Sequence, residues 1–157
     1  MTELSATLAS DLADCYAANL ARIRELASRL TDAQFWTKPF HFGNSFGHLV
    51  LHLTGNLNYY VGAQIASTGY VRDRPREFTE SDPPSKKETL KRLGDAVAMV
   101  IETIHSQSSD DWAKSYSGVG IDSSNRLDAV LRCAAHMQHH IGQIVYLVNE
   151  LRRQAAS

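Results

Sequence analysis

Residues 133–148 read CAAHMQHHIGQIVYLV, an apolar helical pattern that contains His136 and His140. Positions four apart share one face of a helix, with Cβ atoms about 5–6 Å apart, so two imidazoles can reach one ion. A third histidine, His52, lies in the separate segment 46–61, FGHLVLHLTGNLNYYV. Three neutral imidazoles from two facing helices would hold a metal ion and leave coordination positions open, as catalytic metal sites do.

The rest of the chain follows the same helical period. Apolar spacing and capping residues predict four long helices, over residues 3–30, from 44–45 to about 67, from a capping box at 85–88, and from 123–124 to about 153. A polar stretch that contains three prolines, residues 69–84, separates the second and third helices. A connection of this length can cross a whole bundle and leave those helices as parallel neighbours. We therefore predict an all-α four-helix bundle with a long crossover, in a single domain over residues 1–157.

Composition excludes several classes of protein. The chain has 157 residues, of which 43% are hydrophobic and 21% charged, as expected for a globular domain with a real core. The net charge of −1 does not point to nucleic acid or an anionic membrane as partner. We find no signal-peptide pattern and no apolar run of the roughly 20 residues that a membrane span needs. Two cysteines are too few for a disulfide scaffold, so we expect a reduced, cytoplasmic protein.

Polar residues accompany His52 along its predicted helix. His48 and Asn56 lie one turn to either side of it. Polar groups beside a core stripe cost about 1–3 kcal/mol each when they lack partners, and a metal site with supporting hydrogen bonds would supply them. The pattern is not that of a His-Glu-x-x-His zinc protease, because Met137 follows His136 and no general base is supplied locally.

Three motifs, in this order, resemble those of the DinB superfamily, in its branch of small uncharacterised domains: HLTGNLNYYV at 52–61, RDRPREF at 72–78 and HMQHHIGQI at 136–144. The resemblance covers about residues 4–151 and implies a four-helix bundle with a divalent metal held by three histidines. It implies His52, His136 and His140 as the ligands, with Gly142 and Gln143 completing the last motif. It also implies a homodimer, and an activity of the thiol-dependent transferase or isomerase type, although many members have no assigned activity.

We therefore expect a metal-dependent hydrolase or small-thiol S-transferase that acts on a small molecule. Zinc or nickel is the expected ion, with iron or manganese also compatible with three imidazoles. His48, Asn56 and Gln143 are the candidates for proton handling or for orienting a ligand. Two alternatives stay open, a non-catalytic metal-binding protein of the stress-response type and a metal-free dimeric bundle that binds a ligand.

The long connection carries a run of charged residues, namely Arg72, Asp73, Arg74, Arg76 and Glu77. A solvated loop held by ion pairs is the expected structure, with a binding site for a substrate anion as the minor alternative. Cys133 lies one turn before His136, and we expect a buried small apolar residue there rather than a reactive thiol.

Overall fold

The computed structural model describes residues 3–156. Its four long helices are α1 (Glu3–Ser28), α3 (Phe46–Leu57), α5 (Lys86–Ser106) and α7 (Arg126–Ala155). Three short helices, α2 (Asp32–Trp36), α4 (Arg76–Thr79) and α6 (Ser109–Ala113), lie in the connections, and a π-helical turn, Asn58–Ala63, continues α3. The prediction of an all-α bundle is confirmed, and none of the described helices is long and apolar enough to cross a membrane.

Side-chain caps set where three of the long helices begin. Ser45 accepts the backbone N–H of His48 at 3.2 Å, as the sequence predicted. Ser85 accepts that of Glu88 at 3.1 Å, which is one half of the predicted capping box, whereas the Glu88 carboxylate accepts from Arg92 Nε at 2.8 Å. The fourth long helix begins later than residues 123–124, because Asn125 is the residue whose side chain accepts a backbone N–H, from Asp128 at 2.9 Å. The first helix ends at Ser28 rather than at residue 30.

The long crossover is present. The second and third long helices, α3 and α5, are neighbours in the bundle. Thr54 and Arg92 line one cleft between them, and further along Gly62 faces Met99, so the two helices run in the same direction. Residues 64–85 therefore return the chain along the bundle, as the polar composition of that stretch predicted.

The core lies between α1, α3, α5 and α7 and is tied by one buried polar contact, the Tyr16 hydroxyl donating to the carbonyl of Val130 at 2.7 Å. Every residue of α3 except Leu51 is buried, so this helix occupies the interior and is not a surface helix with one apolar face. Two leucines of the long helices are exposed, Leu4 by 78% and Leu131 by 46%. Leu4 lies in the first turn of α1, and Leu131 points outward because its neighbour Val130 faces the core.

Two glycines give a test of packing around α3 and α7. A Cβ atom at Gly47 would overlap the Trp36 ring, whereas a Cβ at Gly142 would meet nothing within 4 Å. We expect Gly47→Ala to lower the free energy of unfolding by about 1–3 kcal/mol, because a large ring must move. Gly142→Ala should raise it by about 0.5–1 kcal/mol, because alanine restricts the unfolded chain and favours helix. Urea unfolding in the presence of a chelator measures both, and equal midpoints for the two variants would contradict this packing.

Candidate metal centre

Three imidazole nitrogens converge between α3 and α7. His52 Nε2 lies 2.9 Å from His136 Nε2, and His140 Nε2 lies 3.2 Å from the same atom. The three atoms all lie within 4.8 Å of one another. His52 and His140 are buried and His136 is half-buried, so the cluster is at the edge of the core with one side open. The structure thus brings together the three histidines that the sequence analysis proposed as ligands.

The opposite ring nitrogens of two histidines determine what the cluster can bind. His52 Nδ1 donates to Glu77 Oε2 at 2.8 Å, and His140 Nδ1 donates to Gln143 Oε1 at 2.7 Å. With the proton on Nδ1, each of these rings presents an unprotonated Nε2 to the cluster. His136 can place a proton toward only one of them, so at least one close pair of nitrogens has no proton between its atoms.

A cation suits this set of donors. Nitrogens around a tetrahedral zinc ion lie about 3.3 Å apart when each Zn–N distance is about 2.0–2.1 Å. The observed separations of 2.9 and 3.2 Å are close to that spacing. Three convergent neutral imidazoles are also a donor set that first-row divalent ions accept.

Burial keeps two of the three histidines neutral. Burial, together with the charges of His140 and His52, lowers the pKa of His136 to about 4. Burial also lowers the pKa of His140 to about 4, although its hydrogen bond to Gln143 opposes the shift. At neutral pH both rings are therefore in the form that binds metal.

Glu77 contacts the cluster and Arg72 contacts Glu77, although the sequence alone placed neither residue beside the histidines. Glu77, in α4, is 7% exposed and accepts two hydrogen bonds from Arg72, at 2.7 and 2.9 Å, besides the one from His52. Burial would raise the pKa of Glu77, but its hydrogen bonds with His52 and Arg72 and the charge of Arg72 hold that pKa below its usual value. An ionised carboxylate behind His52 makes the ring a stronger ligand. The expected loop held by ion pairs is present at Arg72 and Glu77, but this pair is buried and not solvated.

Gly55 makes room for this carboxylate. A Cβ atom at Gly55 would overlap the Glu77 carboxylate, so only glycine allows the acidic side chain to lie against α3 beside His52. A glycine inside an otherwise apolar helix was a signal in the sequence that another group approaches closely. The signal did not name the group, because α4 is one turn long and its position depends on tertiary packing.

The structure does not bring His48 to the cluster. Its Nδ1 lies 2.7 Å from the Ser45 hydroxyl and its Nε2 lies 3.2 Å from the carbonyl oxygen of Glu80. Its ring packs edge-on against Trp36. Because both nitrogens are engaged, this placement does not favour the proton-handling role expected for His48; the ring joins the start of α3 to the crossover instead.

Asn56 and Gln143, unlike His48, lie beside the histidine cluster. Gln143 orients His140 and its amide nitrogen is 3.3 Å from His139 Nε2, so it links a cluster histidine to an exposed one. Asn56 is 6% exposed and lines a cavity with His52 and His136. Its Oδ1 has no hydrogen-bond partner among the described residues.

This cavity, of about 480 Å³, opens beside the cluster and also includes Cys133 in its lining. The Cys133 side chain is 1% exposed, and burial raises the pKa of its thiol to about 12. The thiol is therefore protonated at neutral pH and packs as a small apolar group, as expected.

The fold and the cluster define a four-helix bundle with an interhelical three-histidine centre suited to a divalent metal. A sequence model of the DinB superfamily matches residues 16–144, and the chain belongs to that superfamily. A crystal structure of a conserved protein from Enterococcus faecalis shares the fold with a TM-score of 0.74, at 15% identity, over 90% of this chain and 95% of that chain. A comparison with curated proteins found no match.

The hydrogen bond from His52 to Glu77 predicts an effect on metal affinity. We expect Glu77→Gln to weaken zinc binding by about 10–100-fold, because the neutral amide makes His52 a poorer ligand. Glu80→Gln is the matched control, since Glu80 lies in the same segment but its side chain pairs with the exposed Arg76. Competition with a chromophoric chelator measures both affinities, with circular dichroism to check folding. Equal zinc affinity in the Glu77 variant and the wild type would contradict the orienting role.

Proposed function

We propose that this protein binds one divalent first-row metal ion through His52, His136 and His140. The observation that carries the proposal is the convergence of three neutral imidazoles, two of them held with their Nδ1 protons on oxygen acceptors. Zinc and nickel suit this donor set, and iron(II) and manganese are compatible with it.

We infer that the centre acts on a small molecule in the adjoining cavity. A bound divalent ion supplies Lewis acidity, which lowers the pKa of water or of a thiol. The described lining of the cavity contains no aspartate or glutamate, and the only thiol in it, that of Cys133, is buried and protonated. The nucleophile therefore comes from outside the chain, as water in a hydrolase or as a low-molecular-weight thiol in an S-transferase.

In the transferase reaction the thiol sulfur forms a bond to an electrophilic carbon of the second substrate. The bond from that carbon to its leaving group breaks, and the thiol proton departs with the leaving group. Within the chain, Glu77 and Gln143 hold two of the histidines in position. The unpaired Asn56 oxygen can accept a hydrogen bond from an N–H or O–H group of a bound substrate.

A non-catalytic metal-binding protein is the second candidate. It would use the same three histidines, and the lack of a carboxylate base in the described part of the cavity is the observation that favours it. The homodimer and the cytoplasmic location expected from the sequence stay predictions.

Elemental analysis of protein purified without a histidine tag tests the metal site. The wild type should carry about one divalent ion per chain. His140→Ala should lose the ion, because the two imidazoles that remain are fewer than the three protein ligands of such a site. His139→Ala is the matched control, since His139 is the neighbouring exposed residue and is not part of the cluster. A wild type that takes up none of zinc, nickel, iron(II) or manganese would overturn the proposal.

A screen of the loaded protein with thiols, electrophiles and esters separates the two candidate functions. We expect thiol-dependent turnover that His136→Ala abolishes and Cys133→Ala leaves unchanged, because the buried thiol takes no part. Loss of turnover in Cys133→Ala, with the metal retained, would contradict an external nucleophile. A loaded protein that turns over none of the panel would favour the non-catalytic candidate.

A further inference from the structure

The cavity beside the histidines continues into a second one of about 720 Å³. The two cavities share Tyr60, Arg72, Arg74 and Gly120 in their linings. A single cleft therefore leads from His52 past the arginines to an outer end. We refer to this combined space, lined by the residues of both cavities, as the arginine cleft.

The charge of the arginine cleft is one-sided. Arg72, Arg74 and Arg132 line it, and its described lining contains no aspartate or glutamate. The carboxylates that pair with Arg72 and Arg132 belong to Glu77 and Asp128, which lie outside that lining. The cleft on the other side of α4 differs, because Asp73, Glu80 and other carboxylates line it together with arginines. A cleft that has low-dielectric walls and is lined by positive charges concentrates anions from solution.

Arg74 is the arginine of the cleft whose charge is not paired with a carboxylate. Within residues 3–156 its guanidinium forms no ion pair or hydrogen bond, and lies 5.7 Å from the centre of the Phe78 ring. Arg72 differs in that both its Nε and one terminal nitrogen are bound to Glu77. A carboxylate in the cleft would therefore find an unpaired guanidinium at Arg74, the partner that binds such groups with two parallel hydrogen bonds.

Asn56 gives an independent sign that the cleft receives a ligand. Its side chain lines the inner end beside His52 and His136, is 6% exposed, and has an oxygen without a partner among the described residues. A buried polar atom left unpaired costs about 1–3 kcal/mol, and such groups in folded proteins call for an explanation. A donor group on a bound molecule would satisfy it.

The outer end of the cleft is apolar. Val71 and Val119 line it and are 88% and 79% exposed, next to Tyr59 and Tyr70. Gly120 adopts a φ of +96°, and a Cβ atom there would lie 2.6 Å from the Tyr60 hydroxyl, so a glycine lets this loop close against the cleft wall. An apolar group of a ligand would cover the exposed valines.

We propose that the arginine cleft binds small organic carboxylates with an apolar part. The carboxylate pairs with Arg74, the apolar part covers Val71 and Val119, and the remaining end of the molecule reaches Asn56 and the histidine cluster. This proposal rests on the proposed function in taking the cluster as the reactive centre, but anion binding itself requires no turnover and is measured separately.

The test uses 3-phenylpropionate and its neutral analogue 3-phenylpropionamide as probes of the full-length, zinc-loaded protein. Calorimetry should show that the wild type prefers the carboxylate by about tenfold, the effect of one charge-assisted pair. Arg74→Gln should remove that preference. Arg76→Gln is the matched control, because Arg76 is an exposed arginine of the same segment that pairs with Glu80 and lines the other cleft. Equal affinities of wild type and Arg74→Gln for the carboxylate would overturn the proposal. A probe that binds the zinc ion directly, without Arg74, would give this result.

Amide chemical shifts locate the probe. Changes at Val119 and Gly120 would support the arginine cleft, whereas changes confined to Asp95 and Ala96 would place the anion in the other cleft and overturn the proposal. Zinc content is measured on the same samples. A wild type that takes up none of zinc, nickel, iron(II) or manganese but still prefers the carboxylate through Arg74 would overturn the metal centre alone. A zinc-loaded protein without that preference would overturn the anion site alone.

Discussion

The hydrogen bond between His52 Nδ1 and Glu77 Oε2, at 2.8 Å, is the contact on which the site depends. It keeps the proton of the ring on Nδ1 and leaves Nε2 unprotonated, facing His136 Nε2. It also brings the crossover against α3, since Glu77 reaches the ring only through the space that Gly55 leaves open. One interaction therefore links the orientation of His52 in the cluster to the position of the crossover against α3.

The same interaction explains why a charged pair lies in the interior. Removing Glu77 and Arg72 from water costs several kcal/mol per ion, and a buried pair is weak evidence for stability. The pair does have a geometric effect, because Arg72 binds both carboxylate oxygens and so fixes the plane in which Glu77 meets His52. In this chain the buried charge contributes to the orientation of the His52 ring.

The sequence was sufficient for the fold and for the three cluster histidines, because both depend on local regularities. Helical period and caps such as Ser85 act within a few residues, and His136 and His140 share a face by their spacing alone. Glu77 could not be found in that way, since its place depends on how a one-turn helix packs after a long polar stretch. For His48, spacing alone did not determine which groups the ring contacts. Its spacing from His52 suggested a shared face, but α3 is buried on nearly all sides, so the ring finds partners at Ser45 and Glu80 instead.

In the function that we propose, reactivity and recognition are carried by different parts of the molecule. The histidines come from α3 and α7, two long helices whose packing leaves little freedom at the ligand positions. Most of the outer end of the arginine cleft comes from the crossover and from the loop before α7, which tolerate sequence change far better than a core helix does. Arg72 belongs to both parts, because it lines the cleft and holds Glu77 behind His52. A substitution at Arg74 would therefore change only what the cleft binds. A substitution at Arg72 would also remove the hydrogen bonds that hold Glu77 behind His52.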